Sequence, residues 1–206
     1  MGRFLKKALD RSVALAGLAV SVPLVFCAAL AIVLEDFGSP FFVQERPGLH
    51  GRPFRLVKLR TMRASRPGGP DLPDAERITR VGRLLRRTSL DELPQLWNVL
   101  KGDLSLVGPR PLLMRYLARY SPEQARRHEV LPGITGWAQI NGRNAISWEE
   151  KLRLDVWYVD HWSLGLDLRI LARTAGRVLR RQDISGPGHA TAPEFMGTRG
   201  ESGEES

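Results

Sequence analysis

The sequence contains very few of the residues that build disulfide scaffolds or histidine metal centres. Its single cysteine, Cys27, lies inside an apolar run and cannot form an internal disulfide, so nothing indicates an oxidised, secreted scaffold. Its four histidines are scattered, which argues against a histidine-based metal centre. The chain also lacks a G-x-x-x-x-G-K-S/T phosphate loop, a zinc-type cysteine and histidine cluster, and an internal repeat.

Acidic residues are also in short supply. The chain of 206 residues has 22 aspartates and glutamates against 31 lysines and arginines, which gives a formal net charge of +9. Such a basic protein prefers anionic partners, namely nucleic acid, anionic lipid headgroups or phosphorylated substrates. Because a long apolar segment is also present, we expect an anionic phospholipid membrane and a phosphorylated substrate as partners rather than nucleic acid.

The apolar segment is the run Ser12–Leu34, which has 23 consecutive residues without a charge. At about 1.5 Å rise per residue, a helix of this length can cross roughly 30 Å of hydrocarbon. The run is too long for a cleaved signal peptide, and it contains Pro23 near its centre. Basic residues flank it on both sides: Arg3, Lys6, Lys7 and Arg11 before it, and Arg46, Arg52, Arg55, Lys58 and Arg60 after it.

Two topologies remain open for this segment. Flanks that are rich in Lys and Arg favour the cytoplasmic face of the membrane, and both flanks of this segment are of that kind. A helix that kinks at Pro23 and returns would satisfy both, with Ser21 available to bond backbone groups that the proline frees. A kinked helix that spans the membrane is the alternative.

The rest of the chain predicts a mainly α fold with a small β-hairpin. The hairpin joins Phe41–Gln44 to Pro53–Leu59, and a Pro/Gly-rich loop covers Ala64–Asp74. Helical spacing or capping signals predict helices at the following ranges: Glu76–Arg87 (basic and amphipathic), Leu112–Tyr120, Pro122–Val130, Ser147–Tyr158 and Asp167–Arg181. The segment Pro132–Asn144 contains several glycines. Its polar residues either bind a nucleotide or sugar or belong to a structured loop.

The segment Thr88–Leu100, TSLDELPQLWNVL, contains two adjacent carboxylates, Asp91 and Glu92. Ser89 and Glu92 fit a capping box, so the two acidic residues could simply begin a helix. The arginines around them favour another interpretation, because carboxylates among arginines suit a phosphate-bearing substrate and a divalent ion. One carboxylate could then bind the metal while the other attacks phosphorus.

The stretch Thr88–Leu112, TSLDELPQLWNVLKGDLSLVGPRPL, resembles the signature of the bacterial sugar transferases called monotopic phosphoglycosyl transferases. The resemblance extends to FFVQERPGLHGRPFRLVKLRTM, LPGITGWAQINGRN and KLRLDVWYVDHWSLGLDLRIL, and so covers nearly the whole chain. The short chain resembles the minimal members of the family. Its ending, GHATAPEFMG, is similar to that of the subgroup that acts on UDP-diacetylbacillosamine and related amino sugars.

The resemblance implies a re-entrant helix anchor (1–36) and a compact cytosolic catalytic domain with interfacial amphipathic helices (37–185). From Gly186 the chain is rich in Gly, Ser, Pro and Glu, so we expect a C-terminal tail (186–206) whose end is disordered. By the same resemblance, the location of the protein would be the cytoplasmic face of the bacterial inner membrane. The family breaks its anchor at Ser-Pro, whereas here Val22 precedes Pro23 and Ser21 lies one position earlier.

The activity that the resemblance implies is Mg²⁺-dependent transfer of a sugar-1-phosphate from a UDP-sugar to polyprenyl phosphate, with release of UMP. Asp91 would be the nucleophile and Glu92 the Mg²⁺ ligand. Arg86 and Arg110 would hold phosphate oxygens, and Asp167 would support such an arginine. Lys58 is a further candidate for substrate binding. The alternative is a non-catalytic, anionic-lipid-binding component of a glycan assembly complex.

Overall fold

The computed structural model describes residues 2–63, 73–142, 146–180 and 194–197. Its elements, in chain order, are α1 (Gly2–Asp36), β1 (Phe41–Pro47), β2 (Pro53–Leu59), α2 (Asp74–Arg77), α3 (Arg80–Thr88), α4 (Gln95–Lys101), β3 (Ser105–Val107), α5 (Pro122–Ala125), β4 (Gly133–Thr135), α6 (Trp137–Ile140), α7 (Trp148–His161) and α8 (Leu164–Arg180). Short 3₁₀ turns lie at Leu49–Gly51, Leu90–Glu92, Met114–Arg119 and Arg126–His128. The mainly helical class with a small hairpin is confirmed.

The long helix α1 carries the apolar run. Among the described residues it is the one helix long and apolar enough to cross a membrane, by length and composition alone. The helix continues through Pro23 without ending there. The Ser21 hydroxyl donates to the carbonyl of Leu18 at 3.3 Å, a bond to a preceding turn of the kind that often bends helices. The predicted kink and return at Pro23 therefore stay a prediction.

The buried side of α1 runs along its whole length. Its buried residues recur at helical spacing: Asp10, Ala14, Ser21, Ala28 and Ile32. Ala14 shares a core cluster with Val99, Leu104 and Tyr158, whereas Ala28 and Ile32 pack with Leu59 and Leu85. The opposite side of α1 is apolar and exposed.

The hairpin is antiparallel, with Phe41 opposite Leu59 and Pro47 opposite Pro53. The predicted hairpin is confirmed, although β1 extends three residues further than the predicted Gln44. The turn between the strands contains His50 and Gly51, both with positive φ. Glycine tolerates that conformation without a steric penalty, which explains the glycine at position 51.

A second, parallel strand pair was not predicted. Ser105 lies opposite Gly133, and Val107 lies opposite Thr135. Backbones meet so closely here that a Cβ on Gly108 would lie 2.3 Å from the carbonyl oxygen of Leu131. The glycines of this segment thus serve close backbone packing. Gln139 and Asn141 bond to nearby carbonyls of Ile134 and Trp137, which favours the structured-loop interpretation for these two residues.

Several predicted helices are shorter than expected or divided. The expected helix Glu76–Arg87 is interrupted at Ile78, which bridges to Met62, and Thr79 then caps α3. The ranges Leu112–Tyr120 and Pro122–Val130 contain mainly 3₁₀ turns, with one short α-helix, α5. Side-chain caps at Thr79 and Ser121 set where α3 and α5 begin. The capping of α7 by Ser147 is confirmed, since its hydroxyl accepts from the amide of Glu150.

The described end of the tail, Glu194–Gly197, packs against the 3₁₀ turn Met114–Arg119. Phe195 is 1% exposed and lies among the rings of Tyr116, Tyr120 and Trp148. Most of the predicted Ala64–Asp74 loop, Arg143 and Asn144, and the remaining tail residues lie outside the described residues.

Candidate active site

The acidic pair lies in a tight 3₁₀ turn, Leu90–Glu92, between α3 and α4. The turn forms because Ser89 ends α3 in the left-handed conformation, with φ of 56°, and Pro94 then begins α4 as its N-cap. The predicted capping box is wrong, since the Ser89 side chain makes no cap hydrogen bond. A residue in the left-handed conformation does not have the extended backbone that such a cap requires. The turn directs Asp91 inward, where it is 8% exposed.

Glu92 forms an ion pair with Arg110, in which the two side chains approach to 2.5 Å. Arg110 belongs to the proline-flanked turn Pro109–Arg110–Pro111, which follows β3. The carboxylate of Glu92 raises the pKa of Arg110 above its ordinary value. Arg110 therefore remains charged, and its side chain is 44% exposed, so it is accessible to an anionic ligand.

Lys58 and Arg86 complete the cationic surroundings of the acidic pair. Burial and the charge of Arg110 lower the pKa of Lys58, while Asp91 and Glu92 act in the opposite direction. Arg86 donates from its Nε to the Thr61 hydroxyl at 2.9 Å, which orients its guanidinium. The structure thus brings five of the six predicted site residues together, from β2, α3, the acidic turn and the turn after β3.

The electrostatics single out Asp91. Burial is the main factor that raises its pKa, and the neighbouring charge of Glu92 raises it further. Lys58, Arg110 and Arg86 lower it in part. A buried carboxylate with raised basicity, surrounded by cations, is suited to attack an electrophile that carries negative charge.

Asp167 lies elsewhere in the structure. It accepts hydrogen bonds from Lys6 at 2.6 Å, Tyr158 at 2.7 Å and Trp162 at 3.1 Å. Its described bonds therefore tie α1 to α7 and α8, and no arginine is among these partners. These bonds do not include the arginine that Asp167 was expected to support.

Sequence reasoning missed Asn98, which holds the strand that carries Lys58. Asn98 is 1% exposed, donates to the carbonyl of Arg55 at 2.7 Å and accepts from the amide of Val57 at 3.2 Å. The side chain thereby fixes β2 against α4, directly after the acidic turn. The signal in the sequence is a polar residue between the apolar pairs Leu96–Trp97 and Val99–Leu100, which does not reveal its partner.

The donor set of this site fits a magnesium ion. Within residues 2–63, 73–142, 146–180 and 194–197, no group of three or more His, Cys, Asp or Glu side chains gathers around one point. Mg²⁺ commonly uses one or two carboxylates and completes its shell with water and substrate phosphates. Glu92 supplies one such carboxylate, directly beside the candidate nucleophile Asp91.

The residues around Asp91 define a class of site, namely an anion-accepting centre built around a buried carboxylate next to an apolar helix. The model of the family described as "Bacterial sugar transferase" matches residues 1–181. The chain belongs to the bacterial sugar transferase family.

Three relatives illustrate the similarity. The chain is 61% identical over 171 residues to the "Uncharacterized sugar transferase EpsL" of Bacillus subtilis, with 82% of this chain and 85% of the relative covered. It is 47% identical to the UDP-glucose:undecaprenyl-phosphate glucose-1-phosphate transferase of Caulobacter vibrioides, covering 84% of this chain and 69% of the relative. It is 40% identical to the UDP-galactose-lipid carrier transferase of Erwinia amylovora, covering 87% of this chain but 41% of that protein.

Proposed function

We propose that this protein transfers a sugar-1-phosphate from a UDP-sugar to polyprenyl phosphate and releases UMP. The observation that carries the proposal is the buried Asp91, whose neighbours Lys58, Arg86 and Arg110 provide positive charge for a diphosphate. The names of the relatives from Caulobacter and Erwinia, which describe sugar transfer to undecaprenyl phosphate or a lipid carrier, support the same reaction.

In the proposed first step, a carboxylate oxygen of Asp91 attacks the phosphorus that bears the sugar. A bond forms between this oxygen and phosphorus, and the phosphorus–oxygen bond to UMP breaks, with the electron pair leaving on UMP. In the second step an oxygen of polyprenyl phosphate attacks the same phosphorus, and Asp91 leaves as a carboxylate. The bond between the sugar and its phosphate oxygen stays intact throughout.

The cationic side chains act on the charge that develops during both steps. The Arg110 side chain is partly exposed, whereas Lys58 lies on β2 and packs over the Phe42 ring at 5.2 Å. Preorganised cations stabilise a transferring phosphoryl group because they require little rearrangement as its charge redistributes. A magnesium ion held by Glu92 and substrate phosphates would supply further charge neutralisation.

The sugar is proposed to be an N-acetylated amino sugar of the diacetylbacillosamine type. The support for this is the ending Gly188–Gly197, which is similar to that of the corresponding subgroup. Phe195 from this ending reaches the aromatic residues Tyr116 and Tyr120, and Arg127 links Tyr120 to the backbone of Arg110. Phe195 is therefore connected to the turn that bears Arg110 through packed side chains.

A panel of UDP-sugars tests the proposed reaction. The full-length protein in detergent or nanodiscs is supplied with Mg²⁺, undecaprenyl phosphate and one sugar nucleotide at a time, and UMP is measured. UMP release that requires the lipid acceptor for turnover is the expected result, fastest with an N-acetylated amino sugar. Membrane binding without UMP release from any UDP-sugar would favour the non-catalytic, lipid-binding alternative.

The anchor is proposed to enter and leave the membrane on the cytoplasmic face of the bacterial inner membrane. Contacts at both ends of α1 support this topology. Near its beginning, Lys6 pairs with Asp167, and the Ser105 hydroxyl donates to Asp10 at 2.6 Å. At its end, Glu35 accepts from the amides of Arg80 and Val81.

These contacts are difficult to combine with a straight span. A straight helix of 35 residues would be about 50 Å long, and its ends would lie in water on opposite sides of the bilayer. The polar partners of both ends belong to one globular body, which cannot lie on both sides. The exposed apolar side of α1, with Leu15, Val20 and Phe26, then faces lipid.

Protease-accessible tags test this topology. Tags placed before Met1 and after Gly186 are expected to report the same, cytoplasmic side in spheroplasts and inverted vesicles. A control protein carrying one added, uninterrupted apolar helix between the tags should place them on opposite sides. Opposite sides in the unmodified chain would mean that α1 spans the membrane.

A further inference from the structure

We propose that Arg127 and Asp155 form a positioning pair that fixes the turn bearing Arg110, an inference that rests on the proposed function. Arg127 lies in the 3₁₀ turn Arg126–His128, and Asp155 lies in α7. Neither was identified by the sequence analysis as a site residue.

The turn Pro109–Arg110–Pro111 needs to be held through its carbonyl groups. Its two prolines have no amide hydrogen, so the turn cannot be fixed by the usual number of backbone donors. The amide of Gly133 donates to the Pro109 carbonyl at 3.0 Å, and Arg127 donates from Nη2 to the Arg110 carbonyl at 2.8 Å. Arg46 approaches the Pro111 carbonyl at 3.5 Å. Arg127 therefore holds the middle residue of the turn, which is the residue that carries the functional guanidinium.

Asp155 orients Arg127 for this contact. Its Oδ2 accepts from Nε at 3.1 Å and from Nη2 at 2.6 Å, so the same Nη2 atom bonds both the carboxylate and the Arg110 carbonyl. The two side chains are only 2% and 4% exposed. The Tyr120 ring lies over the guanidinium at 5.7 Å, and its hydroxyl accepts from Nη1 at 3.4 Å. Arg127 is thus held by Asp155, by Tyr120 and by the Arg110 carbonyl.

The burial of this pair is better explained by geometry than by stability. Removing two charges from water is costly, and well-packed apolar residues in their place are often as stabilising. An apolar pair, however, could not donate a hydrogen bond to the Arg110 carbonyl. The guanidinium of Arg127 can donate to the carboxylate of Asp155 and to the Arg110 carbonyl at once, and so supplies a hydrogen-bond donor to the turn. Arg127 acts through Arg110 and is therefore a positioning residue rather than a catalytic one.

A double-mutant cycle with Arg110 tests this role. Arg127→Lys keeps the positive charge opposite Asp155, but its side chain is one bond shorter and loses the contact with the Arg110 carbonyl. We expect kcat/KM to fall by about 10- to 100-fold, mainly in kcat, in a protein that stays folded but melts at a lower temperature than the parent because buried hydrogen bonds are lost. In an Arg110→Ala background, the same change is expected to lower kcat/KM by no more than about two-fold.

The control and the second variant keep the test decisive. The neighbouring pair Arg126–Asp160 is exposed, so Arg126→Lys is a matched control that should leave activity unchanged. If Arg127→Lys does not fold, the double substitution Arg127→Met with Asp155→Leu removes both buried charges, leaves neither unpaired, and should show the same loss of activity.

Two outcomes would overturn the proposal. One is an unchanged kcat/KM in folded Arg127→Lys, or in the double substitution where it is used. The other is a loss that recurs in full in the Arg110→Ala background, which would indicate a general structural role. Either result differs from failure of the proposed function, in which the parent protein itself releases no UMP.

Discussion

Replacing Asp91 with asparagine is expected to abolish turnover, with a fall in the rate of UMP release of about 10⁴-fold or more. Asparagine has nearly the same shape as aspartate, so the tight turn Leu90–Glu92 can keep its conformation. Its amide, however, cannot act as the nucleophile that attacks phosphorus. The measurement is UMP release in the presence of undecaprenyl phosphate, together with trapping of labelled sugar phosphate on the protein.

The pH dependence of the parent protein provides a second measurement of the same residue. Burial and Glu92 raise the pKa of Asp91, so its carboxylate is protonated at a higher pH than an ordinary aspartate. Because only the carboxylate attacks, kcat/KM should fall on acidification at a pH above the usual range of aspartate. This acid limb reports the free protein, in which no substrate is bound.

Asp160→Asn is the matched control for this substitution. Asp160 pairs with Arg126 at an exposed position of α7, outside the group of residues around Asp91. This control should retain both UMP release and covalent labelling. Asp91→Asn with UMP release near that of the parent protein would exclude the aspartyl mechanism, whatever its effect on labelling.

Local patterns predicted the parts of the fold that depend on local physics. The hairpin follows from two short β-like runs on either side of a turn that is rich in glycine and proline, and α7 follows from its Ser147 cap. The acidic pair was located because it stands in a long, specific motif. The turn around it was predicted incorrectly, since Ser89 fits a cap by type but adopts the left-handed conformation.

Non-local contacts could not be predicted in the same way. Strands β3 and β4 are each three residues long, and more than twenty residues separate them in the chain, so no periodicity reveals their pairing. Asp167 was expected near an arginine of the site, yet its described bonds reach Lys6 on α1 instead. Asp155 instead orients Arg127, and Arg127 in turn donates to the carbonyl of Arg110 in the turn after β3.

The position of Lys58 illustrates how such non-local contacts assemble the site. Lys58 lies on β2, more than thirty residues before Asp91, and its place depends on the bonds of Asn98 to Arg55 and Val57. Asn98 follows the acidic turn in the first helix after it, so one short segment contains both the carboxylates and the residue that holds the lysine strand. The sequence motif thus combines catalytic and positioning residues, which a single sequence cannot distinguish.

Glu92→Gln is expected to lower kcat by about 10²- to 10³-fold, less than the loss for Asp91→Asn. Glutamine keeps the size of the side chain but loses the charge that pairs with Arg110 and that would bind Mg²⁺. We therefore expect half-maximal activation to require a higher Mg²⁺ concentration. Activity measured over a range of Mg²⁺ concentrations, with Glu45→Gln as an exposed control on β1, checks this expectation.

The same substitution should also move the acid limb of kcat/KM. Glu92 raises the pKa of Asp91, so removing its charge lowers that pKa and leaves Asp91 ionised at a lower pH. The variant should therefore be slower at every pH while its acid limb lies at a lower pH than in the parent protein. An unchanged Mg²⁺ requirement together with an unchanged acid limb would mean that Glu92 neither binds the metal nor acts on Asp91. A loss of structure that exposed Asp91 would also lower its pKa, because burial is the main factor that raises it. A melting temperature close to that of the parent protein is therefore the control that separates an electrostatic role of Glu92 from a structural one.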